Sequence, residues 1–175
     1  MQILVGVLAG LVIFIALLWV LVPAWYGLPP VTTQRERIRR ALELTNPLPG
    51  ETLYDLGSGH GRVLVIAAKE FGLNAVGIEA GPVQCVISWV NARWNRVGSK
   101  VRVEAGNFFK SDLTQADIVF AYLTSDYGER LQKKLVRELK PGARVVTISF
   151  DLPGWDVDFF DREALIYCYK KRDPS

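Results

Sequence analysis

No charged side chain occurs in the first 34 residues; every Asp, Glu, Lys and Arg lies from Arg35 onward. An uncharged stretch of that length is not the surface of a water-soluble domain. The chain therefore divides into an uncharged prefix and a soluble part of about 140 residues, enough for one domain with its own core. Cysteine is scarce: Cys85 and Cys168 stand alone, with no CxxC and no histidine nearby. That excludes a zinc pattern or a disulfide framework and reads as two reduced, partly buried thiols. One histidine, His60, excludes a His-rich metal site. The 21 basic and 18 acidic residues leave a net charge of +3, too weak to argue for nucleic acid. No GK[ST] follows a glycine loop, so a phosphate P-loop is excluded.

What the prefix does contain is hydrophobicity. Residues 3–22 read ILVGVLAGLVIFIALLWVLV, 20 apolar residues of which 15 are Leu, Ile, Val or Phe. As a helix they would be about 30 Å long, the thickness of a bilayer core. At roughly −0.4 kcal/mol for each of those side chains, insertion is favoured by about 6 kcal/mol. Trp19, Trp25 and Tyr26 cluster where an interfacial aromatic belt would lie. The run has no basic residue before it and no small-x-small site after it, which argues for an uncleaved anchor over residues 1–24 rather than a signal peptide. Arg35, Arg37, Arg39 and Arg40 follow the span, so the positive-inside rule places the domain on the cytoplasmic side or its topological equivalent. The same arginines suit either anionic lipid or a solvated helix face. Gly6 and Gly10 form a GxxxG, a motif for weak helix dimerisation. Residues 25–33 form a short linker stiffened by Pro29 and Pro30, and Thr33 with Glu36 makes a capping box for a helix over 34–44.

From Thr52 the pattern alternates. Apolar runs at 52–55, 74–79, 101–104, 117–122 and 144–150 read as buried strands. Helical stretches at 62–71, 82–96 and 127–139 lie between them; the second carries Val83, Ile87, Val90 and Trp94 on one face, the third Leu131, Leu135 and Leu139. Residues 164–171 alternate and predict an antiparallel edge strand. Strand-helix alternation predicts an α/β domain over 34–175, a doubly wound, mostly parallel sheet whose ligands sit at the carboxyl ends of the strands.

The first strand runs into YDLGSGHGR, with Asp55, Gly57, Gly59 and Gly61 spaced D-x-G-x-G-x-G. A dinucleotide GxGxxG starting at Gly57 would need a small residue at position 62, where Arg62 stands. This spacing, an acid ending the second strand (Glu79) and LKPGARVV at 139–146 together resemble a class I S-adenosylmethionine-dependent methyltransferase of Rossmann-like fold. The resemblance implies S-adenosyl-L-methionine as cofactor. It implies that Asp55, Gly57, Ser58, Gly59 and Gly61 approach the cofactor, that Glu79 accepts the ribose hydroxyls, and that Asn107 and Phe108 lie by the adenine. His60 reads as a loop residue beside the ligand. More narrowly, the apolar anchor, DLGSGxGR at 55–62, RELKPGARVV at 137–146 and FDLPGW at 150–155 resemble the membrane-anchored protein-lysine methyltransferases, mitochondrial enzymes with bacterial relatives. That family usually has Asp where His60 stands and often a proline after the fourth strand, where this chain reads AYLTSDYGE.

The resemblance implies a membrane-protein lysine as methyl acceptor. Tyr122, Thr124 and Asp126 are the catalytic candidates, Tyr122 to orient the amine and Asp126 to attract the incoming ammonium. Helix capping by Ser125 or Asp126 explains the same residues equally well. Methylation of a lipid or lipophilic small molecule, and a non-catalytic binding module of the same fold, remain open at this point.

Overall fold

The computed structural model describes residues 2–25 and 34–172. The expected linker falls almost wholly outside them, as do Tyr26 and Thr33 of the aromatic belt and capping box. Five helices, α1 (Gln2–Trp25), α2 (Arg35–Leu44), α3 (Arg62–Glu70), α4 (Pro82–Trp94) and α5 (Gly128–Glu138), accompany seven strands. The strands are β1 (Thr52–Leu56), β2 (Asn74–Glu79), β3 (Val101–Ala105), β4 (Ile118–Ala121), β5 (Arg144–Ile148), β6 (Phe159–Asp161) and β7 (Ile166–Lys170). They form one sheet in the order β3-β2-β1-β4-β5-β7-β6. The first five are parallel and β7 runs antiparallel to β5. The order turns back between β1 and β4, so the loop after β1 opens at the crevice where such sheets bind ligands.

The central strands are apolar throughout because both faces are covered. On one face Leu53, Ile118, Phe120 and Val146 pack beneath Ile38 and Leu42 of α2 and Leu64 of α3. On the other, Tyr54, Val119 and Val145 meet Leu131, Leu135 and Leu139, the expected stripe of α5. The FDLPGW segment is held structurally: Thr147 donates to the Phe150 carbonyl at 2.5 Å, Leu152 N–H donates to the Tyr169 hydroxyl at 2.9 Å, and Trp155 leans on Tyr169.

Four expectations need correction. The strand at 164–171 is antiparallel but is not the edge: β6, which the sequence pattern does not show, pairs on its far side. Helix α4 turns the other way. Its inward residues are Gln84, Ser88 and Ala92, whereas Val90 and Trp94 of the expected apolar face are exposed. The arginine row of α2 is largely engaged in the domain. Arg37 donates to the Ala164 carbonyl and Ser149 hydroxyl, Arg39 forks onto Glu70 at 2.7 and 3.0 Å, and Arg40 pairs with Asp161 at 3.0 Å. These contacts fasten α2 to its own domain.

The fourth concerns the anchor. Residues 3–22 do form a helix, α1, and its described side chains, 2–15 and Leu17, are exposed on every side. Among the described residues no helix is long and apolar enough to cross a membrane. The side chains of 16 and 18–22, the rest of the expected span, lie outside them. What is established is an apolar helix, not a membrane span. Gly6 and Gly10 have open space around them.

Candidate active site

Parallel strands bring their carboxyl ends to one rim, and there the expected residues meet. The loop after β1 needs glycine: Gly57, Gly59 and Gly61 have φ of +81°, +51° and +73°, a region that side chains with a Cβ avoid. The Gly57 and Ser58 N–H groups donate to the Ile78 carbonyl at 2.9 and 3.2 Å, tying the loop to β2. Glu79, buried at the end of β2, accepts from the Gly59 N–H at 2.7 Å through one carboxylate oxygen. Its other oxygen accepts from the Gly81 N–H at 2.8 Å. One carboxylate thus joins the glycine loop to the start of α4 by two charge-assisted bonds. Its carbonyl accepts from Gly106 N–H at 2.8 Å, which sets the turn after β3.

Gly61 serves packing. A Cβ there would lie 2.1 Å from the Ser88 hydroxyl oxygen of α4. Gly61→Ala is expected to cost roughly 2–4 kcal/mol of folding stability, combining left-handed strain and overpacking. Denaturant unfolding followed by circular dichroism checks this; an unchanged midpoint would contradict the close approach. Gly59 and Gly106 differ, because no atom lies within 4 Å of a Cβ at either. These two positions look into the open rim, where a ligand can reach bare backbone.

Asp55 lies at the base of the loop and is 3% exposed. Burial, and then the charge of Glu79, push its carboxyl up from 3.8 to about 8. Two neighbouring acids, one of them held largely neutral by the other and by burial, form a site that a positively charged ligand would satisfy. Cys85 donates its thiol to the Glu79 carbonyl at 3.4 Å and is likewise pushed up, by burial and then by Glu79.

The other expected residues are more dispersed. Asn107 closes a local turn, its side-chain oxygen accepting the Phe109 N–H at 2.9 Å, so one acceptor position on that oxygen is already used. Phe108 is buried in the core with Leu56, Ile78 and Leu123, edge-on to Tyr127. His60 is half-buried, and its carbonyl accepts from Asn91 of α4 at 3.1 Å. Tyr122, Thr124 and Asp126 follow β4 on the same rim without forming a cluster. Tyr122 turns to the α2 face, with the Arg37 guanidinium 5.6 Å from its ring centre. Thr124 is half-buried and makes no side-chain cap, and Asp126 is exposed.

Sequence reasoning missed Leu123, whose side chain is 3.5 Å from a Cβ built on Gly57 and so walls the loop. It missed the roles of Gly81 and Gly106 as well. The signal was present in part: both glycines stand one or two residues past a strand end, and strand alternation puts Leu123 opposite Tyr122.

The ANTKMT methyltransferase domain family matches residues 55–159. A protein-lysine N-methyltransferase of Saccharolobus islandicus is 37% identical over 129 residues, which is 73% of this chain and 80% of that protein. The adenine nucleotide translocase lysine N-methyltransferase of Mus musculus is 33% identical over 135 residues, 77% of this chain but 58% of the relative, so the chain spans about three-fifths of that enzyme's length. A crystal structure described as an RNA methyltransferase from Salinibacter ruber, in complex with S-adenosyl-L-homocysteine, superposes with a TM-score of 0.80 at 33% identity and covers 83% of this chain and 96% of that one. The open space at Gly59 and Gly106 and the neighbouring acids Asp55 and Glu79 suit a cationic sulfonium cofactor. The chain belongs to the ANTKMT methyltransferase domain family, and it is an S-adenosylmethionine-dependent methyltransferase.

Proposed function

We propose that this enzyme methylates the ε-amino group of lysine on a membrane-associated protein, and that α1 holds it at the bilayer. The observation that carries the membrane part is α1 itself, an apolar helix whose described side chains are all exposed, in the same chain as the glycine rim. A helix that is hydrophobic all round is stable when buried in protein or in lipid. The lysine part is supported by the names of the archaeal and mouse relatives.

S-adenosylmethionine supplies a methyl carbon already activated by its sulfonium, so the protein's share is position, exclusion of water and handling of one proton. Glu79 and the glycine loop would hold the cofactor, and Asp55 would provide negative charge to it. The lysine ammonium would first give up a proton to solvent, and bound S-adenosylmethionine would then supply its methyl group to the nitrogen lone pair, the carbon–sulfur bond breaking as the carbon–nitrogen bond forms. Thr124 and Asp126 line the approach from β4. Asp126, exposed at the rim, draws in the cationic side chain before deprotonation. Asp126→Ala is expected to raise KM for a lysine substrate about threefold to tenfold with kcat unchanged, the pattern of lost ground-state binding. Unchanged KM would remove Asp126 from substrate capture.

The direct test supplies tritiated S-adenosylmethionine to the full chain in vesicles, with membrane protein, extracted lipid and RNA as competing acceptors. RNA is included because of the name carried by the Salinibacter ruber enzyme. Label on membrane protein that survives protease digestion as methyl-lysine is the expected outcome. Label in lipid or RNA alone would overturn the proposal. Protein labelled equally well by a chain lacking residues 1–24 would leave lysine chemistry standing and dismiss the anchor.

A further inference from the structure

We propose that the outward face of α4 is a second contact with the bilayer, in which Val86, Trp89, Val90 and Trp94 enter the headgroup region of an anionic membrane and fix the domain's orientation. The contact rests on the reading that α1 holds the enzyme at a membrane.

A surface helix of a soluble domain buries its apolar stripe and shows its polar one. Helix α4 does the reverse. Gln84 and Ser88 are 5% and 0% exposed, while Val86, Trp89, Val90 and Trp94 are 62%, 54%, 49% and 87% exposed. The four apolar residues recur at helical spacing and share one face. The helix cannot simply roll over. Asn91 is bonded to the His60 carbonyl. A Cβ on Gly61 would lie 2.1 Å from the Ser88 hydroxyl and 3.2 Å from the Ser88 Cα, so the inward face fits closely because that residue is glycine. The glycine loop therefore fixes which side of α4 meets solvent.

Charge selects lipid as the occupant. From Ala80 to Val103 the sequence has no acid and four basic residues, Arg93, Arg96, Lys100 and Arg102. Arg102 pairs with Glu104, and Lys100 donates to the Gly72 carbonyl. Arg93 lies with its guanidinium 5.1 Å from the Trp89 ring centre, and Arg96 is exposed. Tryptophan with arginine beside it is the composition of a helix lying in an anionic interface. The backbones of α1 and α4 come close, which puts the outward face of α4 near the proposed anchor.

The test places the full chain on phosphatidylcholine vesicles containing phosphatidylglycerol, with bromine on the acyl chains near the headgroup. Wild type is compared with Trp89→Phe/Trp94→Phe, which keeps the face apolar but removes two of the five tryptophans. Both side chains are exposed, and calorimetric binding of S-adenosylmethionine confirms that the variant is folded. The expected result is a quenched, blue-shifted emission component whose amplitude in wild type exceeds that of the variant, where only the anchor tryptophans Trp19 and Trp25 contribute, and whose excess weakens when phosphatidylglycerol is omitted. An equal absolute amplitude of quenched emission in the two proteins, on vesicles that both still bind, would overturn the α4 contact and leave the anchor intact. Failure of wild type to sediment with vesicles would overturn both. A disulfide-linked dimer through Val90→Cys, without bromine quenching, would assign the face to a second copy and also overturn the lipid contact.

Discussion

Replacing Glu79 by alanine is expected to weaken S-adenosylmethionine binding by a hundredfold or more while the protein remains folded. The carboxylate accepts the Gly59 and Gly81 N–H groups, one per oxygen. Its loss leaves two donors at a largely buried position without a partner, each worth about 1–3 kcal/mol. It also frees the loop from the start of α4, so cofactor binding must restore an order that wild type already has. About 3 kcal/mol in the binding step corresponds to the stated factor. Glu79→Gln keeps one acceptor and should fall between. Isothermal titration with S-adenosylmethionine and S-adenosylhomocysteine decides the matter; an alanine variant within threefold of wild type would dismiss Glu79 as the organiser of the rim.

The second large effect is a pH dependence set by Asp55. Its folded pKa is about 8 against an ordinary 3.8, raised by burial and by Glu79. For an acid raised in this way the sign runs against the usual one. Below about pH 4 the carboxyl is neutral in both folded and unfolded chains, and no penalty arises. As pH climbs towards 8 the unfolded chain ionises freely and the folded one resists, so stability from this group is lost across that window. A cationic cofactor favours the ionised form, so binding between pH 4 and 8 releases a proton, and affinity should rise by up to about tenfold per pH unit. Measured from pH 5.5 to 7, where the cofactor's own amino group stays protonated, the rise should approach thirtyfold. Asp55→Asn should flatten it and, without cofactor, make the protein more stable near pH 8. Parallel slopes for the two proteins would place the titration elsewhere.

The residues of the rim were legible in the sequence where chemistry and backbone geometry coincide. Asp55, the glycines and Glu79 stand at strand ends, and buried parallel strands are continuous apolar runs, so β1, β2 and α3 were found nearly to the residue. The failures share a cause. Strand β6 is three residues long with exposed phenylalanines, and only its pairing with β7 makes it a strand. The rotation of α4 depends on how closely Gly61 lets Ser88 approach, a distance no periodicity contains. Tyr122, the candidate for orienting the substrate amine, has its ring beside Arg37, a neighbour 85 positions away that no local pattern reveals.

The strand order also carries a schedule. β1 is hydrogen-bonded to β4, and the Thr52 N–H reaches a carboxylate oxygen of Asp117, 65 residues later. A ribosome delivers α1 first, then the glycine loop and Glu79, and only much later the strand that completes the sheet's centre and the Leu123 wall. For that interval the nascent chain holds half a crevice, and the apolar helix is already outside with no folded domain behind it. Non-local pairing of this kind closes slowly. Early capture of α1 by a membrane would shield the segment most prone to aggregate while the rest of the sheet is still being made.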